Sequence, residues 1–402
     1  MKQAFKYLRT IGLPAFLLLS LYFINPFNKG FLAGYIILGI VFLNKNALKK
    51  EVDTTFLLLT IFSFVYAAFY AFNLEQGVQW LFIYAFFPQA FYLLGKRMVV
   101  DSSTPKNHFY LLFVFGTLYS VTGLISVGLN LLEGGFVQLG RTIPNFWTGK
   151  ETLATAMGAF FIFNMSIPGL LIASKRKLPL IFNLIALGIF VISMLCVFRL
   201  GSRTQLVLVL LGILIAIAYR IKSQSVVSNF KFILVMVVIV AVGINYLSVD
   251  LDAEYLSSLG QRLQDSENAA SAGGRTVRWE KSLINLYEKP LGWSVDEFGY
   301  SHNMWFDAAR NGTTISFILL VIVTIKSISN IRRALRANKN AILFNSLILI
   351  YNVAIFSQLF VEPALESLFI LFVFYCFIQG LLNEYSNKEE NRKIEQSPLV
   401  QE

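Results

Sequence analysis

From about residue 11 the chain is built of long apolar stretches parted by short polar breaks, beginning LPAFLLLSLYFI, NPFNKG, FLAGYIILGIVFL. A membrane-crossing helix needs roughly 17 to 25 mostly apolar residues, fewer where the ends snorkel or carry aromatics. Twelve windows meet that requirement, near 11–25, 30–43, 54–72, 77–95, 108–131, 151–173, 178–198, 204–220, 230–247, 313–328, 341–359 and 364–382, the first two being short. The expected fold is therefore an all-α integral membrane protein. Residues 1–247 carry nine spans, 248–312 form one long loop, 313–382 carry three more spans, and 383–402 are expected to be a disordered polar tail. The basic start and apolar run at the N-terminus resemble a signal peptide, but no small-residue cleavage site follows, so the run reads as a retained first span.

The breaks supply an orientation. Lys2, Lys6 and Arg9, then Lys45, Lys49 and Lys50, then Lys96, Arg97 and Lys106, then Lys175, Arg176 and Lys177 fall in alternate connections. Lysine and arginine gather on the cytoplasmic side of short loops, so both termini are expected there and the 248–312 loop on the opposite, extracytoplasmic face. Within that loop an amphipathic helix is expected over 275–288, with Trp279, Leu283, Leu286 and Tyr287 on one face, stopped by Lys289-Pro290. A second short helix should begin after Ser301 and stop at Asn311-Gly312, placing His302 at a helix start.

Composition agrees with the pattern. Hydrophobic residues make up 56% of the 402 and charged ones 14%, with mean hydropathy +0.63, which marks a polytopic membrane protein. The net charge of +11 would suit nucleic acid, but its placement in alternate loops accounts for most of it. Cys196 and Cys376 both lie in apolar runs, with no spacing for a metal or a disulfide framework. No charged residue falls near the middle of a window and no internal repeat is visible, which weighs against an ion-coupled carrier.

The extracytoplasmic side is where chemistry can be placed. FRLGSRTQ (198–205) puts Arg199 and Arg203 in a tight turn between two spans. LGRTIPNFWTGKETLATAMG (139–158) adds Arg141 and Lys150, with Thr152 and Thr155 at the next helix start. GGRTVRWEKS (273–282) sets Arg275 and Arg278 three apart on one helical face. Each could be a solvated basic group or snorkel to lipid headgroups. Taken singly each reads first as such a group, but three on one side favour an anion site, because guanidinium offers a fixed fork of donors matched to phosphate oxygens. Only two histidines occur. His302 lies among Tyr300, Trp305 and Phe306, as an interfacial aromatic belt would arrange it; it is also the extracytoplasmic side chain best suited to accept a proton near neutral pH. His108, at a cytoplasmic helix start, reads as structural. Asp250, Asp252 and Glu254 in SVDLDAEY could hold Mg²⁺ or Mn²⁺, or be a solvated helix start.

At SRTQLVL, GGRTVRWEKSLINLYEKPLGW and SHNMWFDAARNGTTISFILL the chain resembles the O-antigen ligase and O-antigen polymerase family of bacterial membrane proteins. The likeness is strongest over about 198–325, looser at TIPNFWTGKETLATAMG, and one of hydropathy alone before residue 100. It implies a metal-independent, inverting glycosyltransferase of the inner membrane, without a cofactor, whose donor is an undecaprenyl-pyrophosphate-linked glycan. The acceptor would be a growing surface polysaccharide or lipid A core. By the same likeness Arg203 and Arg275 would bind the pyrophosphate, Arg141 less securely, and His302 would be the catalytic or substrate-orienting histidine. Met-Trp-Phe after His302-Asn303, and Asn311-Gly312-Thr313, depart from the family pattern and bear on the acceptor. The competing expectation is a polysaccharide exporter or flippase that forms no bond.

Overall fold

The structure, a computed structural model, describes residues 12–100, 103–138, 140, 142–174, 178–222, 224–230, 234, 253–264 and 274–395. In chain order its helices are α1 (Leu13–Ile24), α2 (Gly30–Leu43), α3 (Lys45–Glu51), α4 (Thr54–Tyr70), α5 (Gln79–Arg97), α6 (Pro105–Gly134), α7 (Ala154–Ala159), α8 (Ile167–Ser174), α9 (Leu180–Leu200), α10 (Arg203–Lys222), α11 (Ser257–Gln264), α12 (Arg275–Glu288), α13 (Met304–Ala337), α14 (Ile342–Val361), α15 (Ala364–Ser367) and α16 (Phe369–Glu395). Among the described residues, α6, α9, α10 (as far as Ile221), α13, α14 and α16 are long and apolar enough to cross a membrane, and α1, α2, α4 and the Asn164–Ser174 segment are shorter apolar helices. Large aliphatic side chains point outward along α9 (Leu184, Ile185, Ile192) and α13 (Ile315, Ile318), the kind of surface that marks a lipid-facing protein. The chain is an all-α protein of membrane character.

Eleven of the twelve expected windows hold helix. The window 230–247 lies outside the described residues apart from Phe230 and Leu234. The window 151–173 is interrupted: Glu151–Leu153 is a strand, β2, paired antiparallel with β1 (Thr142–Pro144). Helix therefore starts at Ala154, so Thr152 lies on a strand and Thr155 in the first helical turn. The segment then passes through a turn and a short 3-10 stretch before α8. Buried Asn164 fills that break, its amide donating to Ser120 Oγ at 2.7 Å and Ser193 Oγ at 2.8 Å. Irregular backbone in an apolar bundle persists where neighbouring polar groups satisfy it in this way.

Two local rules set the packing. Asp53 caps α4, accepting from the Phe56 amide at 3.0 Å, and a carboxylate cap satisfies one of the free amides at a helix start. The same carboxylate takes Lys96 Nζ at 2.7 Å and the Asn383 amide at 3.0 Å, tying the start of α4 and the end of α5 to the middle of α16. Where α5 crosses α16, a Cβ at Gly95 would collide with the Phe377 carbonyl and one at Gly380 with the Tyr92 carbonyl; small residues let apolar helices approach this closely. The 383–402 tail is not all irregular, since α16 runs to Glu395. Lys388 Nζ donates to the Val99 carbonyl at 2.6 Å and Arg333 pairs with Glu390 at 3.1 Å, anchors that composition alone does not show.

Candidate functional site at the loop end of the bundle

α12 occupies residues 275–288 as expected, but its inward face is different. Trp279 and Leu286 turn inward with buried Ser282 and Asn285, whereas Leu283 and Tyr287 are exposed, Tyr287 by 89%. Hydrogen bonds choose the face. Trp279 Nε1 donates to the Ser301 carbonyl at 2.9 Å, Ser282 Oγ lies 2.7 Å from Ser301 Oγ, and Thr314 Oγ1 donates to the Leu286 carbonyl at 2.8 Å. A polar inner face is satisfied this way, while the outer apolar positions Val277, Leu283 and Ile284 face away from the bundle.

The second helix starts at Met304, capped by Asn303, whose side chain accepts from the Trp305 and Phe306 amides. Its break comes at Thr313 (φ 78°, ψ 164°), one residue beyond the expected glycine, after which α13 continues to Ala337. His302 thus precedes the cap rather than opening the helix, and its own φ is 53°. A non-glycine residue in that left-handed region is held there by its surroundings. Here the clamp is Asp307, fully buried, whose two oxygens accept from the Ser301 amide at 2.8 Å and the Asn303 amide at 3.1 Å. The carboxylate brackets the histidine and fixes the turn that presents it.

The imidazole faces Glu362, at the end of α14. His302 Nδ1 is 3.6 Å from Glu362 Oε2, and Arg275 Nη2 is 2.9 Å from Oε1. One carboxylate therefore faces an arginine and the histidine from different segments. Glu362 is 6% exposed, Arg275 21% and His302 27%. Nδ1 itself is buried without a hydrogen-bond partner, and Nε2 lies on the far side of the ring from Glu362. Arg278 donates to the Tyr300 carbonyl at 3.4 Å. The α14 end is also held by Asn303 Nδ2 to the Phe360 carbonyl at 3.3 Å and by the Trp279 ring against Phe360, 4.9 Å between centroids.

Behind this layer lies a buried charge cluster. Arg310, with no exposed side-chain surface, pairs with Glu75 at 3.0 Å and Glu366 at 3.0 Å and lies 5.0 Å from the Tyr300 ring. Asn311 adds a bond to Glu366 at 3.3 Å. Glu366 fell inside the expected 364–382 span, but it sits on short α15 ahead of α16. Arg310 so joins the connection after α4, the start of α13 and the connection after α14.

The remaining predicted arginines distribute unevenly. Arg203 is half-buried at the first position of α10. Two residues further on, Gln205 Nε2 reaches Gln358 Oε1 at 3.3 Å, one turn before Glu362, so the start of α10 meets the end of α14. Arg199 is 2% exposed and donates to Gln138 Oε1 at 3.1 Å, while its Nε is buried without a hydrogen-bond partner. The turn between them, with Gly201 at φ 56°, approaches the Ser258 carbonyl so closely that a Cβ would collide with it. Lys150 is exposed beside β2. Arg141, Asp250 and Asp252 lie outside the described residues; Glu254, which is described, opens a short 3-10 turn leading into α11.

Arg275, Arg278 and His302 are thus brought together, with Arg203 on an adjoining helix end. Sequence reasoning missed Glu362, Asp307, Arg310, Glu366 and Glu75. Glu75 and Glu362 stand between expected apolar windows and Glu366 at the start of the 364–382 window, so acidic residues at the window edges were the available signal. No protein-family model matches the chain, and no curated protein matches it in sequence.

Proposed function

We propose that the protein is a twelve-span inner-membrane glycosyltransferase that moves a glycan from undecaprenyl pyrophosphate to an acceptor hydroxyl on the extracytoplasmic side. Both termini would be cytoplasmic. The observation that supports this reading is Glu362 standing between Arg275 and His302, which brings a phosphate-binding side chain and a proton acceptor to one partly exposed place. In the proposed reaction the acceptor oxygen forms a bond to the anomeric carbon as the carbon–oxygen bond to pyrophosphate breaks, with inversion. The electron pair leaves on undecaprenyl pyrophosphate, whose growing charge Arg275 and Arg203 stabilise. The acceptor's proton passes to Nε2 of His302, the edge of the ring away from Glu362. Preorganised guanidinium groups can do this work without a divalent ion.

The test is deletion of the gene in its host, with surface polysaccharide and undecaprenyl-linked glycan profiled after complementation by wild type, His302→Ala or Arg275→Ala. Single repeats in place of long chains would identify a polymerase, and long chains stranded on undecaprenyl a ligase. Both variants are expected to fail to complement. Full restoration by His302→Ala would refute the mechanism, and glycan movement across vesicles without a new glycosidic bond would favour an exporter or flippase.

A further inference from the structure

Glu362 stands in an unusual position for a structural ion pair. Its Oε1 is engaged by Arg275 at 2.9 Å, while its Oε2 stops 3.6 Å short of His302 Nδ1, beyond the 2.7–3.2 Å of an N–H···O hydrogen bond. The ring nitrogen it faces is buried and has no other partner among the described residues. Leaving such a group unmade is costly unless something completes it at another stage. The backbone here has little freedom, because Phe360 is held by Asn303 and Trp279 and Pro363 follows Glu362 directly. The Glu362 side chain is the part able to move.

We infer that Glu362 is a positioning residue that couples donor binding to activation of His302, an inference that rests on the function proposed above. Arg275 draws the carboxylate toward itself and away from the imidazole. A diphosphate competes for the same guanidinium, since phosphate oxygens and a carboxylate use the same fork of donors. Released from Arg275, the carboxylate closes the remaining gap of less than about 1 Å, reaching the roughly 2.8 Å of a charge-assisted bond from Nδ1–H. That bond fixes the tautomer with the Nε2 lone pair turned toward the acceptor and stabilises the imidazolium that forms. The base is thereby armed after the leaving group is in place, which limits proton abstraction in an unloaded site.

The inference separates binding from turnover. Purified full-length chain in detergent would be titrated with inorganic pyrophosphate and with farnesyl pyrophosphate as probes, for wild type, Glu362→Gln, Glu362→Asp and Arg275→Ala. Glu362→Gln removes the competitor of the diphosphate, so it should bind farnesyl pyrophosphate on the order of tenfold more tightly. The same variant should fail to restore the polysaccharide profile of the deletion strain, while Glu362→Asp restores it in part. Tightened binding also demonstrates that the variant is folded. Weaker or unchanged binding by Glu362→Gln would overturn the inference, as would full complementation, since a carboxylate that merely braces Arg275 predicts weaker binding. If wild type binds neither probe, the donor assignment falls and this inference with it. If wild type binds and His302→Ala is inactive while Glu362→Gln behaves as wild type, the inference alone falls.

Discussion

Replacing Arg310 by methionine keeps most of the side-chain volume and removes the one cation of a cluster with two carboxylates. Arg310 has no exposed side-chain surface; its partners Glu75 and Glu366 are 20% and 4% exposed. Stripping one partner from a buried pair costs about 3–5 kcal/mol, because a charge is left in a poor solvent. Glu75 can turn toward water and Glu366 cannot, which places the expected loss near the lower end, about 3 kcal/mol. Losing the guanidinium beside Tyr300 adds roughly 0.5–1 kcal/mol. Chemical unfolding of the purified full-length chain in mixed micelles would read this difference. Combining Arg310→Met with Glu366→Gln should recover part of it, with a coupling of about 1–3 kcal/mol between the two positions. A variant within about 0.5 kcal/mol of wild type, or a double variant no more stable than Arg310→Met alone, would refute the claim that the cluster holds the connections around His302 together.

Two further changes probe the turn that carries the histidine. Asp307→Asn can accept from one of the Ser301 and Asn303 amides but turns an NH₂ toward the other, so stability should fall by roughly 1–3 kcal/mol. Polysaccharide complementation, compared at equal membrane abundance, should fall by more than that loss explains, and full complementation would sink the idea that Asp307 fixes His302. Thr313→Gly relieves a φ of 78° and ψ of 164°, a region essentially reserved for glycine and costing about 1–3 kcal/mol. Glycine's extra unfolded-state freedom takes back about 0.5–1 kcal/mol, so the unfolding midpoint should rise modestly. A clear fall would mean that the threonine side chain stabilises the kink.

The helices were legible because an apolar window leaves few alternatives, and α12 appeared at the residues expected because Gly274 and Lys289-Pro290 punctuate it. What faced inward on α12 was legible only for Trp279 and Leu286. Hydrophobicity favoured Leu283 and Tyr287, but Ser282 and Asn285 are the buried positions, since their partners on 297–301 could be known only after folding. The broken 151–173 segment failed for a related reason: Asn164 tolerates irregular backbone through Ser120 and Ser193 on other helices. Arg275, Arg278 and His302 were identified by residue type and local motif. Glu362 was not, because its meaning comes from lying opposite two groups far away in the chain. Arg199 had the residue type for an anion ligand, and its deep burial shows only in the fold.

Both ends of the bundle contain buried ion pairs, so charge by itself does not locate chemistry. At one end Asp53 and Lys96 cap and tie helices, and nearby His108 is 1% exposed, with Nε2 3.0 Å from Ser103 Oγ and its ring near those of Phe344 and Tyr385. That imidazole is buried and has a hydrogen-bond partner. At the other end His302 is 27% exposed, keeps Nδ1 without a partner and holds a left-handed backbone that Asp307 must enforce. Folding gains nothing evident from these three features together. A strained turn, an unfinished hydrogen bond and a partly exposed ring suit a proton acceptor better than a structural histidine, and their coincidence beside Arg275 is what favours the loop end for the proposed reaction.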